Sequence, residues 1–339
     1  MRLPRGSKST STTAFVWPLR VRSISPLSQS QSLTVASSLA VARSVQAGWN
    51  ARRVTGARWE APPMPKLHTT STPAPGVLLL QFNRPPVHAF NDDMWTELAH
   101  IVRHASADPD IRVLVLSSTS DAAFTAGLDL KSQAALAAPA PDPARKALAL
   151  HAHLSAFQSA VSSLSACRQP VICALHGIAL GLAIDIAAAC DIRLCASDTS
   201  FGVFEVNVGL AADIGTLQRF PKITGNDSKV RELALMGRPF GPKEAEEMGF
   251  VSEIVDGGRA QVVAVAIEKA KVIASRSPVA VISTKHILNH ARDHTVEQGL
   301  QYVAAWNMSM LQSSDTAKAM AATRNKEPVT FSGFSDAKL

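Results

Sequence analysis

Three acids, Asp185, Glu205 and Asp213, and two glycine turns, FTAGLDL (124–130) and HGIALGLAID (176–185), are the parts of this chain best suited to chemistry. Asp185 lies in GLAIDIAAAC (181–190), where every neighbour from Leu182 to Ala189 suits a helix buried on all sides. A lone carboxylate costs several kcal/mol in such a place, so it must be hydrogen-bonded, neutralised or used. Glu205, taken alone, reads equally well as an exposed strand charge. Asp213 reads as the N-cap of a helix over 214–220. Each glycine turn is followed by a helix-like segment. A turn entering a helix presents free backbone N–H groups at the positive end of the helix dipole. Two such groups converging on one carbonyl oxygen form an oxyanion hole, although either turn alone is also explained as a helix entry needing φ > 0.

The elements that must position these groups alternate. GVLLLQFNRP (76–85), IRVLVLSS (111–118), PVICALHG (170–177) and DIRLCAS (191–197) read as short buried strands. Between the first two, NDDMWTELAHIVRHASADPD predicts a helix capped by Asn91, with Asp92 and Asp93 in its first turn and Pro109 beyond its end. The loop AALAAPAPDPA leads into a long helix from about 144 to 166, and GLAIDIAAAC begins another. This alternation means an α/β core. From about Gly258 the pattern becomes helical: RAQVVAVAIEKAKVIASR, SPVAVISTKHILNHAR and TVEQGLQYVAAWNMSML. No internal repeat is evident. Neither a GKS/T phosphate loop nor a strand-linked GxGxxG occurs, which leaves nucleotide binding unsupported.

The two turns at this spacing, with the acids after them, resemble the enoyl-CoA hydratase/isomerase (crotonase) superfamily from about Gly76 to the last helices. The resemblance implies a crotonase-like spiral of ββα units over 64–257 and a C-terminal helical oligomerisation region over 258–339. It implies that the backbone N–H groups of Leu128 and Leu182 grip the thioester oxygen of an acyl-CoA substrate, with Ala126, Gly127 and Gly181 around it. The family usually has glycine where this chain has Leu182, so a glycine-only conformation there would leave Leu182 strained.

Within the family, hydratases resemble one another in carrying glutamates at the positions of Asp185 and Glu205 and glycine at that of Asp213. The set Asp185, Glu205 and Asp213, inside EVNVGLAADIGTLQR, is similar to the Δ3,5-Δ2,4-dienoyl-CoA isomerases. That resemblance implies Asp213 as the base at C2 and Glu205 as the acid at C6, with the charge of Asp185 helping to hold Glu205 protonated. It implies no metal and no cofactor, coenzyme A being part of the substrate. Lys131 is a candidate contact for the adenine and pyrophosphate of coenzyme A. The alternatives are an enoyl-CoA hydratase or a Δ3-Δ2-enoyl-CoA isomerase.

The formal charge of +7 belongs to one end. Residues 1–63 hold nine Lys and Arg against Glu60 alone, whereas residues 64–339 carry 25 basic and 26 acidic residues. A nearly neutral body argues against an RNA-binding member of the same fold and against nucleic-acid partners. The Arg- and Ser-rich leader reads as a mitochondrial transit peptide or a disordered tail. The terminal Ala337, Lys338 and Leu339 form a variant of the Ser-Lys-Leu peroxisomal address, implying an import receptor as partner. No apolar run is long enough to span a membrane. The expectation is a peroxisomal enzyme, with mitochondrial import through the leader as a second route. The family resemblance implies a homotrimer or hexamer. Cys167, Cys173, Cys190 and Cys195 read as reduced core residues.

Overall fold

Strands come first where apolar residues run without interruption: VLLLQF, VLVLSS, VICAL and IRLCA are β2 (Val77–Phe82), β3 (Val113–Ser118), β5 (Val171–Leu175) and β7 (Ile192–Ala196). The computed structural model describes residues 67–132 and 141–334; the leader, the loop 133–140 and the terminal tripeptide lie outside the described residues. Strand β1 (His68–Ala74) pairs antiparallel with β2, and β2, β3, β5, β7 and β10 (Glu253–Val255) follow in parallel to make a six-stranded sheet.

A second, four-stranded sheet runs β4 (Ala123–Thr125), β6 (Ile178–Leu180), β8 (Ser200–Gly202) and β9 (Pro239–Phe240). The chain thus steps from β3 to β4, from β5 to β6 and from β7 to β8, each time passing from the large sheet to the small one. Helices α1 (Asp92–Ala107), α2 (Pro143–Ala166) and α3 (Leu182–Ala189) carry it between turns of this spiral. The ββα repeat therefore exists in the topology without a visible sequence repeat.

Side chains alternate across each strand and divide the core in two. Leu78, Leu80, Leu114 and Leu116 face a large cluster with Phe82, Phe90, Phe124 and the helices α1–α3. Val77, Leu79, Val113 and Val115 face the opposite way, onto Val262, Ala266 and Ala270 of α7 (Arg259–Ala274). The first C-terminal helix is thus part of the core layer. Asn91 caps α1 as its sequence predicts, its side chain accepting from the Met94 amide at 3.1 Å.

Three helices complete this part of the chain between β8 and β10: α4 (Thr216–Ile223), α5 (Asp227–Met236) and α6 (Pro242–Glu247). After α7 come α8 (Pro278–Ala291), α9 (Val296–Met310) and α10 (Ser314–Asn325). Buried Lys285 fastens α8 to the body, donating to the carbonyls of Leu164 and Gln169 and pairing with Asp191 at 2.7 Å. Leu288, Val296, Leu300, Met308 and Met320 on these last helices remain exposed. The four cysteines are buried and free. Among the described residues no helix is long and apolar enough to cross a membrane.

Candidate active site

The two glycine turns meet. Gly127 has φ +94°, and a methyl group in place of its hydrogen would stand 2.9 Å from the Leu180 carbonyl oxygen and 3.6 Å from the Leu182 nitrogen. Only glycine offers both that backbone conformation and that clearance. The first turn is pinned by a bridge: the Phe90 amide donates to Gly127 O, and the Asp129 amide donates to Phe90 O, each at 2.8 Å. In a parallel bridge of this kind the middle residue, Leu128, points its own N–H away from the partner strand. No helix follows this turn among the described residues, contrary to expectation; the bridge, rather than a helix entry, presents the Leu128 amide.

The second turn does run into a helix. Gly181 is the N-cap of α3 and Leu182 its first residue, so the Leu182 N–H has no intrahelical acceptor. The anticipated strain at Leu182 is absent. The non-glycine residues with positive φ among those described are His88 and Lys326, and the Leu182 side chain is buried in the main core. A glycine is required one position earlier, and the backbone donor tolerates leucine.

The sequence alone does not reveal the frame of the first turn. Arg84 donates to the Ala89 carbonyl and pairs with Asp129, both at 2.6 Å. Thr125 donates to the carbonyl of fully buried His88 at 2.7 Å and accepts from the Gly127 amide at 3.1 Å. These partners lie up to 45 positions apart, beyond the reach of any local pattern. Ala126 ties the same turn to Val87 through its amide, while the Lys131 side chain is exposed.

The acids are arranged in series. Asp185 is buried on α3, and its Oδ1 accepts the Thr216 amide at 2.6 Å. It therefore caps α4, whose N-cap residue Gly215 has no side chain to do so. The sequence had suggested Asp213 for that cap; the helix begins at Thr216 instead, and Asp213 is left outside it. Burial pushes the Asp185 carboxyl up to about 7, with the charge of Glu205 adding to the effect and hydrogen bonding from Thr216 opposing it.

Glu205 opens a 3-10 turn, Glu205–Val208, rather than lying in a strand. Its Oε1 lies 3.3 Å from where a Cβ on Gly181 would be, so the carboxyl rests against the second glycine turn. Its Oε2 is buried without a hydrogen-bond partner among the described residues. Burial raises its pKa, and Asp213 raises it further. Asp213 thus joins Asp185 as a charge that disfavours ionisation of Glu205, since Asp185 and Glu205 also repel. Asp213 is solvent-accessible, yet the surrounding protein is dense enough to raise its pKa as well.

The arrangement offers two backbone donors beside each other, one carboxyl against them biased toward its protonated form, and a second, accessible carboxyl within electrostatic reach. Such a set can stabilise an enolate oxygen and move protons at carbon.

Comparison with known proteins agrees in scale. A family profile described as enoyl-CoA hydratase/isomerase matches residues 73–333. The chain is 44% identical over 262 residues to the human "Delta(3,5)-Delta(2,4)-dienoyl-CoA isomerase, mitochondrial", covering 76% of this chain and 79% of that one. It is 36% identical over 259 residues to the peroxisomal protein of the same name from Arabidopsis thaliana, covering 75% and 92%. Among solved structures, an enoyl-CoA hydratase from Bacillus anthracis superposes with a TM-score of 0.71 at 26% identity, over 78% of this chain and 99% of that one.

Proposed function

The chain belongs to the enoyl-CoA hydratase/isomerase family, and within it we propose that this protein is a Δ3,5-Δ2,4-dienoyl-CoA isomerase. The observation that carries the reading is the pairing of Glu205, its buried carboxyl lodged against Gly181, with a further acid, Asp213, that reaches it electrostatically. Moving two conjugated double bonds one step toward the thioester needs a proton removed at C2 and one supplied at C6. That takes one ionised and one protonated carboxyl at opposite ends of the diene.

In this reading the acyl-CoA thioester oxygen accepts from the Leu128 and Leu182 amides. Asp213, accessible and outside the helix it precedes, takes the proton at C2. The resulting dienolate places negative charge on the oxygen held by the two amides, each such donor being worth ~3 kcal/mol in acyl chemistry. Glu205 delivers a proton at C6. Asp185 lies behind them, neutral or charged near physiological pH, and holds α4. No cofactor beyond the coenzyme A of the substrate is invoked. The exposed apolar residues of α8–α10 support assembly into a trimer or hexamer. The terminal Ala337-Lys338-Leu339 would direct the enzyme to peroxisomes through an import receptor, and the leader to mitochondria. Relatives named for each compartment exist.

The test is incubation with a 3,5-dienoyl-CoA. Absorbance of a conjugated 2,4-dienoyl product should rise, and Glu205→Gln or Asp213→Asn should abolish the rise while leaving the fold intact. Silence of the wild type on this substrate, with hydration of a 2-enoyl-CoA instead, would replace the isomerase reading by the hydratase one.

A further inference from the structure

Asp213 sits on a stretch with no helix or strand to hold it: residues 210–215 form an irregular loop between the 3-10 turn and α4. A base on such a loop samples many positions unless something outside the loop restrains it. Here two side chains from flanking helices do so. Gln158 of α2 donates through Nε2 to the Asp213 carbonyl at 2.7 Å. Arg219 of α4 folds back over the loop, donating to the Ile214 carbonyl at 3.4 Å and to the Ser162 hydroxyl of α2 at 2.7 Å. Ser162 in turn donates to the Gln158 carbonyl at 2.6 Å, closing a circuit between the two helices.

Gly215 completes the fit. A Cβ there would fall 1.9 Å from Arg219 Nη1, so the guanidinium occupies the space a side chain would need. With Asp185 accepting the Thr216 amide, three consecutive peptide groups on the C-terminal side of the Asp213 carboxyl are each tied to a different element. A single tether would fix a point; three in succession fix an orientation.

We infer that Gln158 and Arg219 are positioning residues for the Asp213 carboxyl, clamping its loop between α2 and α4. The inference rests on the reading of Asp213 as the base at C2. Both side chains hold the loop by its backbone, at the Asp213 and Ile214 carbonyls. Arg219 also sets charge: it is a half-buried cation whose attraction lowers the pKa of Asp185, against the upward pressure of burial and of Glu205. Losing a tether lets the base drift, and misplacement by about 1 Å costs on the order of 10²-fold in a positioned reaction. Losing one of several tethers is expected to cost about 10-fold.

The experiment compares wild type with Gln158→Ala, Arg219→Met and Arg219→Lys, measuring kcat and KM on a 3,5-dienoyl-CoA, and separately the exchange of the C2 proton of a saturated acyl-CoA in deuterated water. Clamping predicts that kcat and the exchange rate fall together by about 10-fold in Gln158→Ala and more in Arg219→Met. KM should stay within about twofold, and Arg219→Lys should recover part of the loss. A purely structural role would instead lower the melting temperature and the fraction of active protein, leaving the turnover of folded enzyme unchanged. Wild-type rates of exchange and turnover in Gln158→Ala and Arg219→Met, or a loss confined to KM, overturn the inference. Wild-type exchange without isomerisation overturns the reaction reading alone, and the variants' exchange rates still decide the clamp. No exchange in the wild type overturns both.

Discussion

Replacing Asp185 by asparagine should make the protein more stable at alkaline pH. The carboxyl is 2% exposed and its pKa is raised from 3.8 to about 7, burial being the main cause. Between those values the folded protein keeps a proton that the unfolded chain has released, so stability falls as pH rises through this window. At ~1.4 kcal/mol per pH unit the full cost above pH 7 is about 4 kcal/mol. Asparagine is nearly isosteric and cannot ionise, and its Oδ1 still accepts the Thr216 amide, so the cap survives while the charge penalty goes. Denaturant melts at pH 8 and pH 4.5 measure the difference. Asp185→Asn should exceed wild type by several kcal/mol at pH 8, and the gap should shrink to about 1 kcal/mol at pH 4.5, close to the pKa of the unfolded carboxyl. Asp185→Ala, which loses the cap, should not share the gain. An asparagine variant less stable than wild type at pH 8, or a gain independent of pH, would refute the account of a buried acid held at a cost.

Gly127→Ala should retain the fold and lose activity. Alanine at φ +94° is strained by ~1–3 kcal/mol and its methyl presses on the Leu180 carbonyl, so the two turns separate. Loss of one oxyanion donor predicts a kcat lower by about 10²-fold, read in the dienoyl-CoA absorbance assay with a melting curve alongside. In the Asp185→Asn background a second pH effect should emerge. His88 is fully buried and desolvation lowers its pKa from 6.5 to about 4, so its contribution is present above pH 6.5 and is lost as pH falls toward 4. Melts in that background should show stability falling by about 3 kcal/mol between pH 7 and pH 4; a flat profile would exclude it.

Elements built on local pattern were legible. The four apolar runs are strands, and Asn91 and the C-terminal periodicities mark helices within a residue or two of where they lie. The small sheet was not, because its strands are two or three residues long and give periodicity no window in which to act. Strand β1, HTTSTPA, is an edge strand with a mostly polar sequence and carries no apolar signal. The site divides in the same way. Residue types and spacing pointed to the acids and both turns, since a buried aspartate and paired glycines are anomalies in their own segments. Partners were beyond reach. Asp185 caps a helix 31 positions away, and the Arg84–Asp129 pair spans 45, so neither follows from any rule about neighbours. The cap assigned to Asp213 failed for the same reason, because an acid from another helix already occupies the donor that Asp213 would have satisfied.

Why the fold keeps so costly an acid follows from the first turn of α3. Leu182 and Asp185 both lie in the first turn of α3, the end where backbone amides are free. The positive end of the helix dipole favours negative charge at both places, on a developing oxyanion and on Asp185. Ala183, Ala187 and Ala188 keep the rest of this fully buried helix thin enough to sit among its neighbours. A neutral residue at 185 would preserve that packing and, on the argument above, raise stability. It would also change the field at Glu205, because the negative charges of Asp185 and Glu205 disfavour each other. Burial raises the pKa of both carboxyls, and the proposed reaction, which returns Glu205 to its protonated form after each turnover, requires that bias. The stability lost at Asp185 is therefore matched to the proposed proton transfer. Asp185→Asn should gain stability and lose turnover together, and a variant that gained the first without losing the second would show that the acid serves only as a cap.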